Sequence, residues 1–79
     1  MTEIQVGVIG FGIVGAGAVK ILIENREDIS RKVGVPVVVK RIADLDIETP
    51  RAISVPDGIL TTNAQDIIDD PEIDIVVET

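Results

Sequence analysis

Three glycines set the first constraint on this chain. In Gly10-Phe11-Gly12-Ile13-Val14-Gly15 they occupy the first, third and sixth places of a six-residue stretch. Before them runs Ile4-Gln5-Val6-Gly7-Val8-Ile9, a short apolar run that stops at a glycine and suits a buried strand. After them, over residues 13–33, Val14, Ala18, Leu22, Ile29 and Val33 recur near the 3.6-residue period, while Lys20, Glu24, Asp28 and Arg31 fall on the other side. The spacing predicts one long amphipathic helix. The glycines therefore lie where a strand has to turn sharply into a helix. Gly10 permits the tight turn, Gly12 leaves the backbone open to close approach, Gly15 allows the helix to pack against the strand, and Gly17 extends that contact.

The remaining chain continues the alternation. Glu27 with Arg31 and Asp28 with Lys32 set acid before base at i,i+4, each pair adding roughly a few tenths of a kcal/mol to the helix. Gly34 suits the left-handed position after its last turn, and Pro36 prevents it from resuming. Residues 35–43, rich in Val and Ile, read as a second strand closed by Asp44. Residues 45–60 carry Pro50, Pro56 and Asp57-Gly58 and read as an irregular excursion. Asn63 is an N-cap for a short helix over residues 64–69, with Asp66 in its first turn and Pro71 beyond its end. Residues 73–77 form a third strand, and the sequence runs on to Thr79.

Right-handed crossovers place the three strands side by side in the order 2-1-3, which is the α/β class and one half of a doubly wound sheet. The expectation is a partial Rossmann fold, with a parallel three-stranded sheet and flanking helices, residues 1–79 being the amino-terminal part of one domain. The third strand would keep an open edge, so the protein is expected to continue past Thr79.

Composition narrows the function. A chain of 79 residues holds one small domain, and Phe11 is its only aromatic, so the core must be built from Ile, Val, Leu and Ala, as in parallel strands covered by helices. The net charge of -7 disfavours DNA, RNA and anionic membranes as partners. The phosphates of a single small cofactor are a different matter, because backbone N–H groups can hold them. With neither cysteine nor histidine, thiolate chemistry, Cys-based zinc sites and the commonest general base are missing, so neither a catalytic residue nor a metal site is expected here. The charge-free run over residues 4–19 follows Glu3, is too short for a bilayer and is broken by glycines, so a cytoplasmic location is expected.

A G-x-G-x-x-G turn between a strand and a helix, in a βαβ unit whose second strand ends in an acid, is the arrangement that binds dinucleotides. The N–H groups of Ile13 and Val14, with the helix dipole, would face the pyrophosphate. A phosphate loop of the Gly-Lys-Ser/Thr type is excluded, since no such residues follow the glycines. Asp44 is the candidate for the adenosine ribose hydroxyls; it comes later than the usual spacing because the first helix is long and leaves through Gly34 to Pro36. The alternative is that Asp44 only caps a loop, with Asp46 as the next candidate. A carboxylate here favours NAD over NADP, although Arg41 or Arg51 could supply a contact to a 2′-phosphate.

Three stretches resemble the amino-terminal region of homoserine dehydrogenases: VGVIGFGIVGAGAVKIL from Val6 to Leu22, KRIADL from Lys40 to Leu45, and LTTNA from Leu60 to Ala64 leading to DDPEIDIVVE from Asp69 to Glu78. The resemblance implies an NAD(P)-dependent oxidoreductase that interconverts L-homoserine and L-aspartate 4-semialdehyde on the route to threonine and methionine. It implies cofactor contacts from Phe11, Gly12, Ile13, Val14 and Gly15, a homodimer, and a catalytic lysine and substrate region downstream of this chain. Two positions depart from the family: Ile13 stands where Thr is frequent, and Ala43 stands where a polar or basic residue, often Arg, precedes the aspartate. Two rival readings keep the cofactor, a dinucleotide-sensing regulatory module without chemistry and another aldehyde-linked dehydrogenase. If Asp44 anchors the ribose, Asp44→Ala weakens NAD binding more than NADP binding in parallel titrations, and equal effects on the two would remove it from that role.

Overall fold

The computed structural model describes residues 3–46, 55 and 58–79. Its elements run β1 (Ile4–Ile9), α1 (Ile13–Glu24), α2 (Arg26–Val33), β2 (Val37–Ala43), β3 (Leu60–Thr61), α3 (Gln65–Ile68) and β4 (Ile75–Glu78). The strands form one parallel sheet in the order β3-β2-β1-β4. The three strands expected from the sequence are thus β1, β2 and β4 in the expected order, but the sheet has four strands rather than three. The addition, β3, pairs Leu60 with Ile42 and Thr61 with Ala43. Two residues are too few to display a hydrophobic period, so this strand exists only through its pairing with β2. Most of the excursion expected over residues 45–60, including Pro50, Arg51, Pro56 and Asp57, lies outside the described residues.

The single long helix is corrected to two. Asn25 interrupts it with φ -105° and ψ 19°, and its side-chain Nδ2 donates to the Ile21 carbonyl at 3.2 Å. An asparagine that bonds its own backbone competes with helix propagation. The acids that follow it, Glu27 and Asp28, then occupy the first turn of α2, where the helix dipole favours them. Asp28 pairs with Arg31 at i,i+3 rather than in the expected i,i+4 pairing with Lys32. Gly34 ends α2 as expected, in the left-handed region at φ +95°.

The buried stripe of α1 also differs from the expected one. Gly15, Ala16 and Val19 face the sheet, Leu22 is half-buried, and Val14 is 74% exposed. Because α1 is apolar on almost every side, its sequence is compatible with two stripes, and the attachment at Gly15 selects one. Gly17 does not extend the close contact, since a Cβ there would meet nothing within 4 Å.

The sheet is covered on both sides. Val6 and Val8 join Ala16, Val19, Val37, Val39 and Ile42 in the main core. Gly7, between them, points the other way, because successive strand residues alternate faces. There α3 packs so closely that a Cβ on Gly7 would lie 2.6 Å from Cγ2 of the buried Ile67. The short helix is held at its start by the Asn63 carboxamide oxygen, which accepts the Gln65 amide at 3.0 Å, close to the capping role expected of Asn63.

Strict alternation along Val37-Val38-Val39-Lys40-Arg41-Ile42-Ala43 would put Arg41 on the face of Val37 and Val39. The β1–β2 register instead steps over Lys40: Val6 pairs with Val39 and Gly7 with Arg41. One extra residue reverses the parity, so Ile42 joins Val37 and Val39 in the core. Lys40 donates to Asp70 at 2.6 Å and Glu72 at 3.1 Å, tying the irregular point of β2 to the segment before β4. That hydrogen bond raises the Lys40 pKa and, with the Glu72 amide bonding the same carboxylate, lowers that of Asp70.

The sign of each shift defines where the bridge stabilises. The Asp70 contribution is present above the ordinary aspartate value of about 3.9 and is lost as pH falls through its lowered value; the Lys40 contribution is present below about 10.4 and is lost as pH rises through its raised value. Lys40→Met is accordingly expected to lower the melting temperature at neutral pH. The gap to the unsubstituted protein should close on acidification to about pH 2, and a gap independent of pH would show that the bridge does not contribute in this way.

Candidate functional site

The site begins where β1 ends. The Gly10 amide donates to the Ala43 carbonyl at 2.7 Å, so the turn is fastened to the end of β2 as it leaves the sheet. Gly10 adopts φ +96°, a region that side chains rarely occupy, and a Cβ there would stand 2.6 Å from Thr79 Oγ1. Phe11 follows in the core, buried at 2% exposure. Gly12 is extended, at φ -75° and ψ -157°, and a Cβ on it would meet nothing within 4 Å. A Cβ on Gly15 would overlap the Gly10 carbonyl oxygen. The three glycines therefore have three different reasons: a left-handed backbone, free space, and contact between helix and turn.

The first helical hydrogen bond of α1 runs from the Ala16 amide to the Gly12 carbonyl at 2.8 Å, so the amides of Ile13, Val14 and Gly15 precede the intrahelical ladder. No side chain caps them and no acidic residue occupies the first turn. Ile13 is 95% exposed and Val14 is also solvent-facing. Backbone donors and the positive end of the helix dipole thus meet an open surface shaped by Gly12, which is the physical requirement for seating an anion. This fits the pyrophosphate of a dinucleotide: the turn has room where a side chain would otherwise stand.

Next to the turn lies a crevice of about 160 Å³, walled by Ile9 at the end of β1, Gly10 of the turn, Ala43, Asp44 and Leu45 at and after the end of β2, and Thr62. Asp44 reaches it because its amide donates to the Thr61 carbonyl at 3.0 Å, which extends the β2–β3 pairing by one residue. Its carboxylate also accepts the Asp46 amide at a long 3.4 Å. Turn capping and ribose binding are compatible, since a carboxylate has about four acceptor positions. Asp46, the next candidate, does not line the crevice. Arg41 does not line it either; its guanidinium donates to the Gly58 carbonyl at 3.1 Å. Arg51 is outside the described residues.

A larger cavity of about 490 Å³ lies among Arg41, Asn63, Asp66, Asp69 and Asp70. Its carboxylates repel phosphate, and it does not include the glycine turn. Of the seven candidate residues, Gly10 and Asp44 border the same crevice, Gly12 through Gly15 continue the turn into the start of α1, and Phe11 is in the core; Leu45, Thr62 and, through its contact with Gly10, Thr79 join them. Leu45 and Thr62 lie in stretches that carry the family resemblance, but no local chemical pattern marks either as a site residue, because each is defined only by the crevice it borders. Among the described residues no helix is long and apolar enough to cross a membrane, and no cluster of carboxylates could hold a metal.

A parallel sheet that turns through three glycines into an uncapped helix, beside a carboxylate at the end of the next strand, defines a Rossmann-type dinucleotide-binding domain. A family model described as "Homoserine dehydrogenase, NAD binding domain" matches residues 10–79. The chain belongs to that family, and its cofactor class is a nicotinamide dinucleotide. Homoserine dehydrogenase from Bacillus subtilis is 41% identical over 78 residues, covering 99% of this chain and 18% of the relative. That from Methylobacillus glycogenes is also 41% identical over 78 residues, covering 99% and 19%. The crystal structure of S. aureus homoserine dehydrogenase at pH 7.5 superposes with a TM-score of 0.85 at 33% identity, over 96% of this chain and 20% of that one. The structure from Thiobacillus denitrificans gives 0.81 at 44% identity, over 96% and 17%. The chain therefore spans less than a fifth of the length of these curated relatives.

The different roles of the glycines can be separated by calorimetry. Gly12→Ala has an allowed φ and free space and should leave the melting temperature unchanged or slightly raised. Gly15→Ala forces the Gly10 carbonyl aside, costs about 1–3 kcal/mol and should lower it by several degrees. Equal responses would mean that the two glycines do not differ in this way.

Proposed function

We propose that this chain is the dinucleotide-holding part of a longer enzyme that interconverts L-homoserine and L-aspartate 4-semialdehyde by hydride transfer. The observation that carries the reading is the family match across residues 10–79. The enzyme acts in the cytoplasm, on the route to threonine and methionine, as a homodimer. Residues 1–79 are the amino-terminal part of its cofactor domain. Substrate binding and proton transfer belong to the remainder, since the chain has no histidine, no cysteine and no lysine in the glycine turn or the adjoining crevice.

In this reading Gly10, Phe11, Gly12, Ile13, Val14 and Gly15 hold the pyrophosphate. The amides of Ile13 and Val14 donate to it, Gly12 admits it, and Gly10 and Gly15 keep the turn close to the sheet. Asp44 accepts from the ribose hydroxyls and makes NAD the favoured cofactor over NADP, which the position of Arg41 away from the crevice supports. The bound nicotinamide supplies the hydride chemistry. The part of this chain is to orient the cofactor, with backbone amides at the pyrophosphate and one carboxylate at the ribose.

Gly12→Val tests the seat directly. A Cβ at this position meets nothing within 4 Å, so helical circular dichroism should survive while NADH binding, followed by fluorescence titration, is lost. Unchanged affinity would sink the proposal. The activity itself is tested by homoserine oxidation with the complete enzyme and with residues 1–79 alone, turnover being expected only from the complete enzyme. Absence of turnover by the complete enzyme with either cofactor would overturn the substrate assignment.

A further inference from the structure

A residue at the far end of the described chain touches the glycine turn. Thr79, immediately after β4, places its amide 2.9 Å from the Ile9 carbonyl and its hydroxyl 3.2 Å from the same oxygen and 3.0 Å from the Gly10 carbonyl. The hydroxyl also fills the notch left by two glycines. A Cβ on Gly10 would lie 2.6 Å from Thr79 Oγ1, and a Cβ on Gly15 would lie 2.9 Å from it. The Gly10 carbonyl is thus gripped from two sides, by the Thr79 hydroxyl and by the backbone of Gly15 at the start of α1.

A peptide carbonyl and the following N–H point in opposite directions. Holding the Gly10 carbonyl inward therefore fixes the orientation of the Gly10–Phe11 peptide. Rotated outward, that oxygen would present negative partial charge at the mouth of a site built to accept phosphate. Glycine at position 10 makes such rotation inexpensive, because it imposes little preference on its own dihedrals. The turn needs glycine for its geometry and something outside the turn to remove the freedom that glycine brings.

We propose that Thr79 is a positioning residue for dinucleotide binding: its hydroxyl locks the Gly10 carbonyl inward and so preorganises the phosphate turn from the end of β4. The inference rests on the nucleotide-binding reading of the glycine turn and adds a residue that the glycine fingerprint does not contain. Its action is through Gly10, with no contact to the cofactor required.

The test compares Thr79→Val, which keeps the shape and removes the hydroxyl, with Thr79→Ser, which keeps the hydroxyl, in the complete enzyme. NADH affinity is measured by fluorescence titration, and KM for the nucleotide is compared with kcat. One neutral hydrogen bond corresponds to a weakening of about three- to tenfold, expected for Thr79→Val in Kd and KM with kcat at saturating nucleotide unchanged. Thr79→Ser should restore affinity to within about twofold of the unsubstituted enzyme. If Thr79→Val does not fold, Thr79→Ala against Thr79→Ser makes the same comparison. Wild-type affinity in the variants lacking the hydroxyl, or a serine variant as weak as they are, overturns the proposal. Absence of NADH binding by the unsubstituted enzyme would overturn the nucleotide reading as well, whereas a wild-type that binds beside an unaffected Thr79→Val overturns this inference alone.

Discussion

The contact between the Gly10 carbonyl and the backbone of Gly15 is the constraint around which the molecule is arranged. It brings the first turn of α1 against the end of β1, and everything that depends on the direction of α1 follows. Gly15, Ala16 and Val19 face the sheet because of it, Ile13 and Val14 face solvent, and the unpaired amides of the helix open beside the crevice at the strand ends. A side chain at position 15 would push the helix outward and separate these donors from the crevice. Catalytic power is not located in this contact; geometry is.

A second constraint shapes the sheet. The Val37–Ala43 strand contains two adjacent cations in an apolar run, an arrangement that simple alternation cannot bury and expose correctly at the same time. The register step at Lys40 resolves it by changing parity, which takes Ile42 into the core and leaves Arg41 paired opposite Gly7. Both cations then find oxygen partners, Lys40 in Asp70 and Glu72 and Arg41 in the Gly58 carbonyl. The step has a consequence for the site: with Arg41 drawn to Gly58, the carboxylate of Asp44 is the charged group of the crevice.

Much of the candidate site was legible from residue order because its parts are local. A left-handed turn, an uncapped helix start and a carboxylate closing a strand each leave a mark within a few residues, so Gly10, Gly12, Gly15 and Asp44 stand out in the sequence alone. Leu45, Thr62 and Thr79 do not, because their relevance comes from residues distant in the chain. The split of the first helix was encoded locally as well, in Asn25 followed by two acids, but the strong apolar period across it hid the signal.

By itself, then, the amino-acid order determined the alternation of strands and helices, the strand order about β1, the position of the glycine turn and the left-handed stop at Gly34, since each depends on backbone preferences and periods that act over a few residues. Only the tertiary structure decided the stripe that α1 buries, the parity change at Lys40, the two-residue strand β3 and the hold of Thr79 on Gly10. In each of these the local alternatives are nearly equal in energy, and the choice is made by packing or hydrogen bonding to a segment far away in sequence.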